Sequence, residues 1–331
     1  MNLRRTLLRK LVYVVLTVFL IASLNFFLFQ VLPGDPTRVL LPKGCGGSNV
    51  TSCPLREQLM SEWGLDQPVF NRYVIYMTNL LKGDLGRSIT YRQGMPVATV
   101  IAQRLPVTLL LVGVATVLSL WLGIVLGRIS GWRRGRPSDV VITITTLLGY
   151  SMPSFWVGLL LFFSFAVAVP LFPQAGDRSP NWASLDLIGQ AADMGWHLVL
   201  PVLTFTITNI AWFSLTLRNS LTDVLPEDYM VTANAKGLTE QQQLKRHALP
   251  NARLPLVTAA ALYFGWVVSG AIVIEQIFQI NGLGQLEWEA TLSLDYPLMS
   301  GIFLIAALGV VICNSVADFL YMLMDPRVRE A

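Results

Sequence analysis

Charge is scarce in this sequence. Only 13% of its 331 residues are Asp, Glu, Lys or Arg, about half of the roughly 25% found in a soluble globular domain. So little charge cannot coat two water-soluble domains, although the length alone would allow them. Histidine is scarcer still. His197 and His247 are the only two, and neither stands in a Gly-x-Ser-x-Gly or His-Glu-x-x-His context, so hydrolases built on those motifs are disfavoured. No Gly-x-x-x-x-Gly-Lys-Ser/Thr phosphate loop occurs, which excludes an ATPase of that type. Cysteine numbers three. Cys313 falls in an apolar run and reads as a small buried residue. Cys45 and Cys53 lie in LPKGCGGSNVTSC with no His or further Cys nearby, too few ligands for a structural zinc site.

What is abundant is apolar. A membrane span needs about 20 mostly apolar residues, and six runs qualify, near 10–32, 105–127, 139–170, 196–217, 254–277 and 298–323. The third is too long for one straight crossing, and Pro153 and Gly158 predict a kink or tilt. The first is longer than a signal-peptide core and is followed by no Ala-x-Ala site, so it reads as a retained anchor.

Lys and Arg orient the spans. Arg4, Arg5, Arg9 and Lys10 precede the first. Arg128, Arg133, Arg134 and Arg136 separate the second and third, and Arg218, Lys236, Lys245, Arg246 and Arg253 the fourth and fifth. Arg178 alone stands between the third and fourth, and 278–297 has no basic residue. Both termini are therefore expected in the cytoplasm. The segment 33–104 carries eight basic residues, but long segments cross largely regardless of charge. The net charge of +4 reports topology, not nucleic-acid binding. Cys45 and Cys53 then fall on the outer side, where disulfides persist. Bridging so short a loop would stabilise by about 2.5 kcal/mol in the chain-entropy account; two free thiols are the alternative.

In the outer segment, Leu55, Leu59 and Trp63 form one stripe between Pro54 and Gly64. Val69, Tyr73, Tyr76, Met77 and Leu80 form a second, ended by Gly83. Two short amphipathic helices are predicted, lying on the bilayer or forming a platform for a partner. Within the spans, GIVLG at 123–127 has the small-xxx-small spacing of close helix contact. Polar groups there are costly: Glu275, Asn209, Asn314 and Asp318 read either as interfacial carboxylates and interhelical hydrogen bonds or as a polar path and outer gate.

The block DYMVTANAKGLTEQQQLKRHALPNA, 228–252, interrupts the apolar pattern. Pro226, Glu227 and Asp228 suit a helix start. Leu225, Tyr229, Ala233 and Gly237 follow at spacing four, and Gly237 suits a left-handed stop. Thr239 and Gln242 have capping-box spacing, predicting a second helix to about Leu249 before Pro250. The small face of Ala233, Ala235 and Gly237 is suited to another protein's groove; an ordinary basic loop is the plainer reading.

These residues resemble the cytoplasmic loop of bacterial ABC importer permeases, an "EAA" start, a glycine and a later Leu-Pro. Thr232-Ala233 stand for Ala-Ala, Gly237 for the glycine and Leu249-Pro250 for the end. Val231 replaces the Glu and His247 a common Ile, as in the peptide-importer branch with its T-A-x-A-K-G-L. LPGDP at 32–36, GLDQP at 64–68, GDLGRS at 83–88, RLPVTLLL at 104–111, GYSMPSFWVG at 149–158, EQIFQINGLG at 275–284 and DPRVR at 325–329 resemble further segments of the dipeptide/oligopeptide/nickel permeases in their first-subunit form. Asn281 departs from that pattern, where Pro is usual.

The resemblance implies an all-α integral membrane fold with about six transmembrane helices. It would comprise a tail and first span (1–32), an extracytoplasmic helical insertion (33–104), a permease core (105–323) with a coupling loop at 218–253, and a cytoplasmic tail (324–331). It implies an inner-membrane permease that is not itself an enzyme and binds no cofactor. Its partners would be a second homologous permease, two cytoplasmic ATPase subunits or domains carrying ATP and Mg, an extracytoplasmic binding protein and membrane lipid. Coupling would fall to Tyr229, Thr232, Ala233, Ala235, Lys236, Gly237, Leu238, His247, Leu249 and Pro250. The cargo stays open among dipeptides, oligopeptides, nickel and glutathione. A stand-alone secondary transporter or channel is the alternative.

Overall fold

Long apolar helices dominate the computed structural model, which describes residues 3–31, 66–253, 255–256, 260, 263 and 271–324. They are α1 (Leu3–Phe26), α2 (Val69–Leu81), α3 (Val97–Trp132), α4 (Pro137–Ser151), α5 (Ser154–Phe162), α6 (Leu187–Val224), α7 (Asp228–Ala235), α8 (Glu240–Gln243), α9 (Ile272–Phe278), α10 (Leu283–Leu292) and α11 (Tyr296–Met324). Wider π-type turns extend α1 over Phe27–Val31, α5 over Phe163–Ala168 and α8 over Leu244–Ala248. Among the described residues the only β pairing is one antiparallel bridge, Arg87 with Pro96.

Four of these helices are long and apolar enough to cross a membrane, and α4 with α5 adds a fifth candidate as a bent pair. The 254–277 run lies largely outside the described residues, as do Cys45, Cys53 and the Pro54–Gly64 stripe. At 1.5 Å per residue α3 is about 54 Å long, well beyond the roughly 30 Å hydrocarbon layer. Its ends, like those of α6, project past the apolar runs seen in sequence.

The third run breaks rather than bends gently. α4 and α5 meet at 95°, with Met152 at ψ 134° and Pro153 at ψ 134°. Proline disfavours the helical region for the residue before it, so Met152 leaves the helix. Gly158 is no hinge: it sits inside α5, where an added Cβ would meet Thr204 at 3.4 Å.

The chain forms two compact units. One is built on Val107–Asn281. In it α6 is the central rod, and glycines let its neighbours approach. A Cβ at Gly123 would stand 2.5 Å from Phe213 Cβ, at Gly127 2.5 Å from the Ser214 carbonyl, and at Gly131 2.9 Å from Leu221 Cβ. The small-residue seam of α3 is thus one turn longer than the 123–127 motif. Gly149 does the same for α4, where a Cβ would meet the Ile207 carbonyl at 2.8 Å. A core of Val107, Leu111, Leu198, Phe205, Ile274 and Phe278 packs α3, α6 and α9.

The other unit joins the chain before Pro106 to Gly282–Val311. Its core is Val97, Val100, Ile101, Leu283, Leu286, Leu298 and Ile302. Asn25 and Ser300 exchange two 2.9 Å hydrogen bonds between α1 and α11. The α2 face anticipated in sequence turns inward: Tyr73 bonds Ser23 at 2.8 Å and packs on Phe26. Val69 is the exception, 45% exposed in the first turn.

Candidate functional site

The polar block folds as a compact helical pair on the end of α6. Leu225 closes α6 in helical conformation and Pro226 follows it, while Glu227 is the cap residue of α7. Pro226 therefore lies in the turn after α6 and does not open α7 as its spacing suggested; it has no amide to bond back into the last turn of α6. Gly237 takes φ +72°. The Leu238 amide reaches back to the Ala233 carbonyl at 3.4 Å and that of Gly237 to Asn234 at 2.9 Å, closing the carbonyls of the α7 end.

Thr239 and Gln242 then form a reciprocal box: the Thr239 amide donates to Gln242 Oε1 at 3.0 Å, and the Gln242 amide to Thr239 Oγ1 at 3.3 Å. Gln243 pins the glycine turn, donating from Nε2 to the Leu238 carbonyl at 2.7 Å and to Asn234 Oδ1 at 3.2 Å. The second helix does not end at Leu249 as expected. It continues through Pro250, with 251–253 and 255–256 also helical. A proline lacks the amide proton and crowds the carbonyl four residues back; the wider turn at Leu244–Ala248 accommodates it.

The inner face of the pair belongs to the core of the unit. Met230, Ala248, Ala252 and Leu256 pack with Phe213, Leu217 and Leu221 of α6, and Trp132, Leu244 and Leu249 close on them. Ala233 is 3% exposed, so it faces this core and not an outside groove. The surface instead carries Tyr229, Val231, Thr232, Ala235, Lys236 and Gly237, with Val231 62% exposed. Leu238, His247, Leu249 and Pro250 are half-buried. Burial, and then the Glu227 carboxylate, push the Tyr229 phenol above its ordinary pKa, so it remains a neutral hydroxyl.

A contact missed in sequence braces this end. Arg218 holds Asp139 by Nε to Oδ1 at 2.6 Å and Nη2 to Oδ2 at 2.8 Å. Asp139 also accepts from the Gly135 amide at 2.9 Å and Thr143 Oγ1 at 3.2 Å. A carboxylate three positions into a proline-started helix, with an arginine at the end of a span, is the signal that could have pointed to it.

The polar residues of the spans have separate surroundings. Glu275 is fully buried and accepts from Thr108 Oγ1 at 2.7 Å, which removes the interfacial reading. Asn209 donates to the Phe205 carbonyl at 2.7 Å, one turn back on its own helix, rather than across helices. Asn314 is exposed on α11; the side chain of Asp318 is outside the described set. Asn281 donates to Asp177 Oδ1 at 2.6 Å, tying the 275–284 turn to the segment after α5.

Known proteins match along nearly the full length. Residues 123–330 match the family described as binding-protein-dependent transport system inner membrane component, and residues 3–112 match its N-terminal family. The oligopeptide transport system permease AppB of Bacillus subtilis is 34% identical, over 99% of this chain and 98% of its own. The di/tripeptide transport system permease DppB of Pseudomonas aeruginosa is 33% identical, over 97% and 98%. The glutathione transport system permease GsiC of Escherichia coli is 34% identical, over 97% of each. Among solved structures, an inward-facing MetNI methionine ABC transporter chain matches with a TM-score of 0.55 at 16% identity, over 69% of this chain and 97% of that one; at this identity the likeness concerns the fold.

Proposed function

This chain belongs to the family of binding-protein-dependent transport system inner membrane components and is a multi-pass permease subunit of an ABC importer of the inner membrane; we propose that residues 226–249 couple it to ATP hydrolysis on partner subunits. One observation carries this. α6 leads through a short turn at Leu225–Glu227 into a capped helical pair whose inner face is packed against α3 and α6, while its outer face is open. A push on that face is transmitted because the pair cannot yield independently of the rod, and coupling needs such a discrete packed element.

The assembly we propose has a second homologous permease, two ATPase subunits or domains that hold ATP and Mg, and an extracytoplasmic binding protein. The block and both termini lie on the cytoplasmic side, following the arginine-rich loops. The names of the relatives support a peptide-class cargo. Transport proceeds by alternating access: closure of the ATPases displaces the pair, α6 carries the displacement, and the cavity between the permeases changes face. Tyr229, Thr232, Ala235, Lys236 and Gly237 form the docking surface, and His247, Leu249 and Pro250 shape the second helix behind it. Buried Glu275 suits an outer gate held shut; Asn209, Asn314 and Asp318 are assigned to the path.

The test replaces Ala235, exposed on the docking face, by arginine in the complete transporter in proteoliposomes. ATP-driven peptide uptake should be lost while all subunits remain at normal abundance. Normal uptake with Ala235→Arg would reject the coupling surface, and uptake by this chain alone without ATPase subunits would favour the stand-alone transporter instead.

A further inference from the structure

The end of α3 and the second helix of the block enclose a basic cavity of about 290 Å³, lined by Arg128, Trp132, Arg133, Leu244 and Lys245 among others. The side chains of its three cations have no hydrogen bond or ion pair among the described residues. Among the described residues no carboxylate lines it; Glu240 lines instead the adjoining cavity beyond Trp132, with Arg133 and Arg136.

Above the cavity, α3 presents an exposed apolar stripe of Leu110, Val114, Val117, Trp121 and Ile124, and Arg128 is its next member. From Leu110 to Arg128 the helix rises about 27 Å, close to the roughly 30 Å of a hydrocarbon layer. The stripe thus matches acyl chains in length, and its lower end meets a cationic pocket with an indole at the depth of the headgroups. We propose that this cavity holds the phosphate of an anionic phospholipid, phosphatidylglycerol or cardiolipin, whose chains lie along the stripe. Guanidinium groups pair with phosphate oxygens through directed hydrogen bonds, and basic pockets at the cytoplasmic membrane boundary attract anionic headgroups. The lipid bridges α3 to Leu244–Lys245, so it steadies the second helix of the block. The proposal rests on the membrane reading but not on the coupling assignment.

The test uses the assembled transporter in nanodiscs containing spin-labelled phosphatidylglycerol or phosphatidylcholine, and reads the motionally restricted fraction of each. Phosphatidylglycerol should be preferred. Arg128→Gln and Lys245→Gln should each lower that preference about fivefold, the effect of one charge near a membrane surface, whatever happens to uptake. Equal restriction of the two lipids, or a preference unchanged in both variants, overturns the site. Displacement of the labelled lipid by millimolar inorganic phosphate identifies a free-phosphate pocket and overturns the lipid assignment. Efficient crosslinking from Arg133→Cys to an ATPase or to the second permease, with no lipid preference, assigns the cavity to that protein contact.

Discussion

Arg218 and Asp139 form a two-pronged ion pair, 2.6 and 2.8 Å, that fastens α6 to the first turn of α4 six residues before α6 ends. Asp139 is 3% exposed and carries two further hydrogen bonds. Removing one partner of a buried pair strands the other charge, at a cost of roughly 3 kcal/mol or more. Arg218→Met should therefore lower the thermal midpoint of the detergent-solubilised transporter more than Arg218→Met with Asp139→Leu. If the pair also makes α4 and α6 move together, the double variant should fold yet hydrolyse more ATP per peptide imported. Equal midpoints for the single and double variants would remove the stranded-charge argument.

The glycines of α3 give a graded stability series. At Gly127 an added methyl meets a carbonyl oxygen that cannot move without α6, whereas Gly113 has nothing within 4 Å. Overpacking typically costs about 1–3 kcal/mol. Gly127→Ala should lower the melting midpoint clearly, Gly131→Ala less, since part of its obstruction is the Leu221 side chain, and Gly113→Ala should be neutral or slightly stabilising. A midpoint for Gly113→Ala as low as that for Gly127→Ala would mean that helix contact is not the cause.

Much of this fold was legible because the bilayer imposes run length and charge asymmetry on a sequence. Gly237 and the Thr239–Gln242 box could be read because caps are local chemistry. Two kinds of feature could not. Ala233 fitted an outward small face by spacing alone, but spacing does not say which side of a short helix meets the core; Phe213 and Leu217 of the preceding helix decide that. The Arg218–Asp139 pair links positions 79 residues apart, and Arg218 was already accounted for as one of the charges that orient the spans, while nothing local singled out Asp139. Pro250 misled because a proline normally ends a helix, and the widened turn that tolerates it has no sequence signature.

The 275–284 turn should respond to acid through Asp177. Burial pushes this carboxyl up, but the Asn281 amide at 2.6 Å and Arg178 at 2.8 Å outweigh it and hold its pKa below the usual value. A folded pKa below the unfolded value of about 3.9 stabilises above that pH, and the contribution is lost as pH falls through the folded value. The wild-type midpoint should thus show no Asp177-linked loss between pH 5 and 8, a window above both values. Asn281→Ala removes a donor, so its acid-induced destabilisation should begin at higher pH. Superimposable midpoint-versus-pH curves from pH 6 to 3 would show that Asn281 does not stabilise the ionised carboxylate.

Asp295 offers the sharpest test of the segment before α3, which we propose lies on the outer side. Its Oδ2 accepts from Ser88 Oγ at 2.5 Å and from the amides of Ile89, Thr90 and Tyr91 at 3.0, 3.1 and 3.0 Å, while Oδ1 accepts from the Leu298 amide at 3.2 Å. One fully buried carboxylate therefore holds the loop before α3 to the start of α11. The GDLGRS motif ends at Ser88, so its sequence is explained in part by the turn that presents these donors. An alanine leaves several buried donors unsatisfied, each at about 1–3 kcal/mol, and an asparagine can satisfy only some of them. Asp295→Ala should release the loop, so that trypsin added from the outer face cuts at Arg87 or Arg92, sites resistant in the wild type. Asp295→Asn should be intermediate. Ser88→Ala removes only one of the four donors to Oδ2 and should leave the loop nearly as resistant as wild type. Cleavage of Ser88→Ala as fast as Asp295→Ala would place the restraint in the hydroxyl and not in the carboxylate.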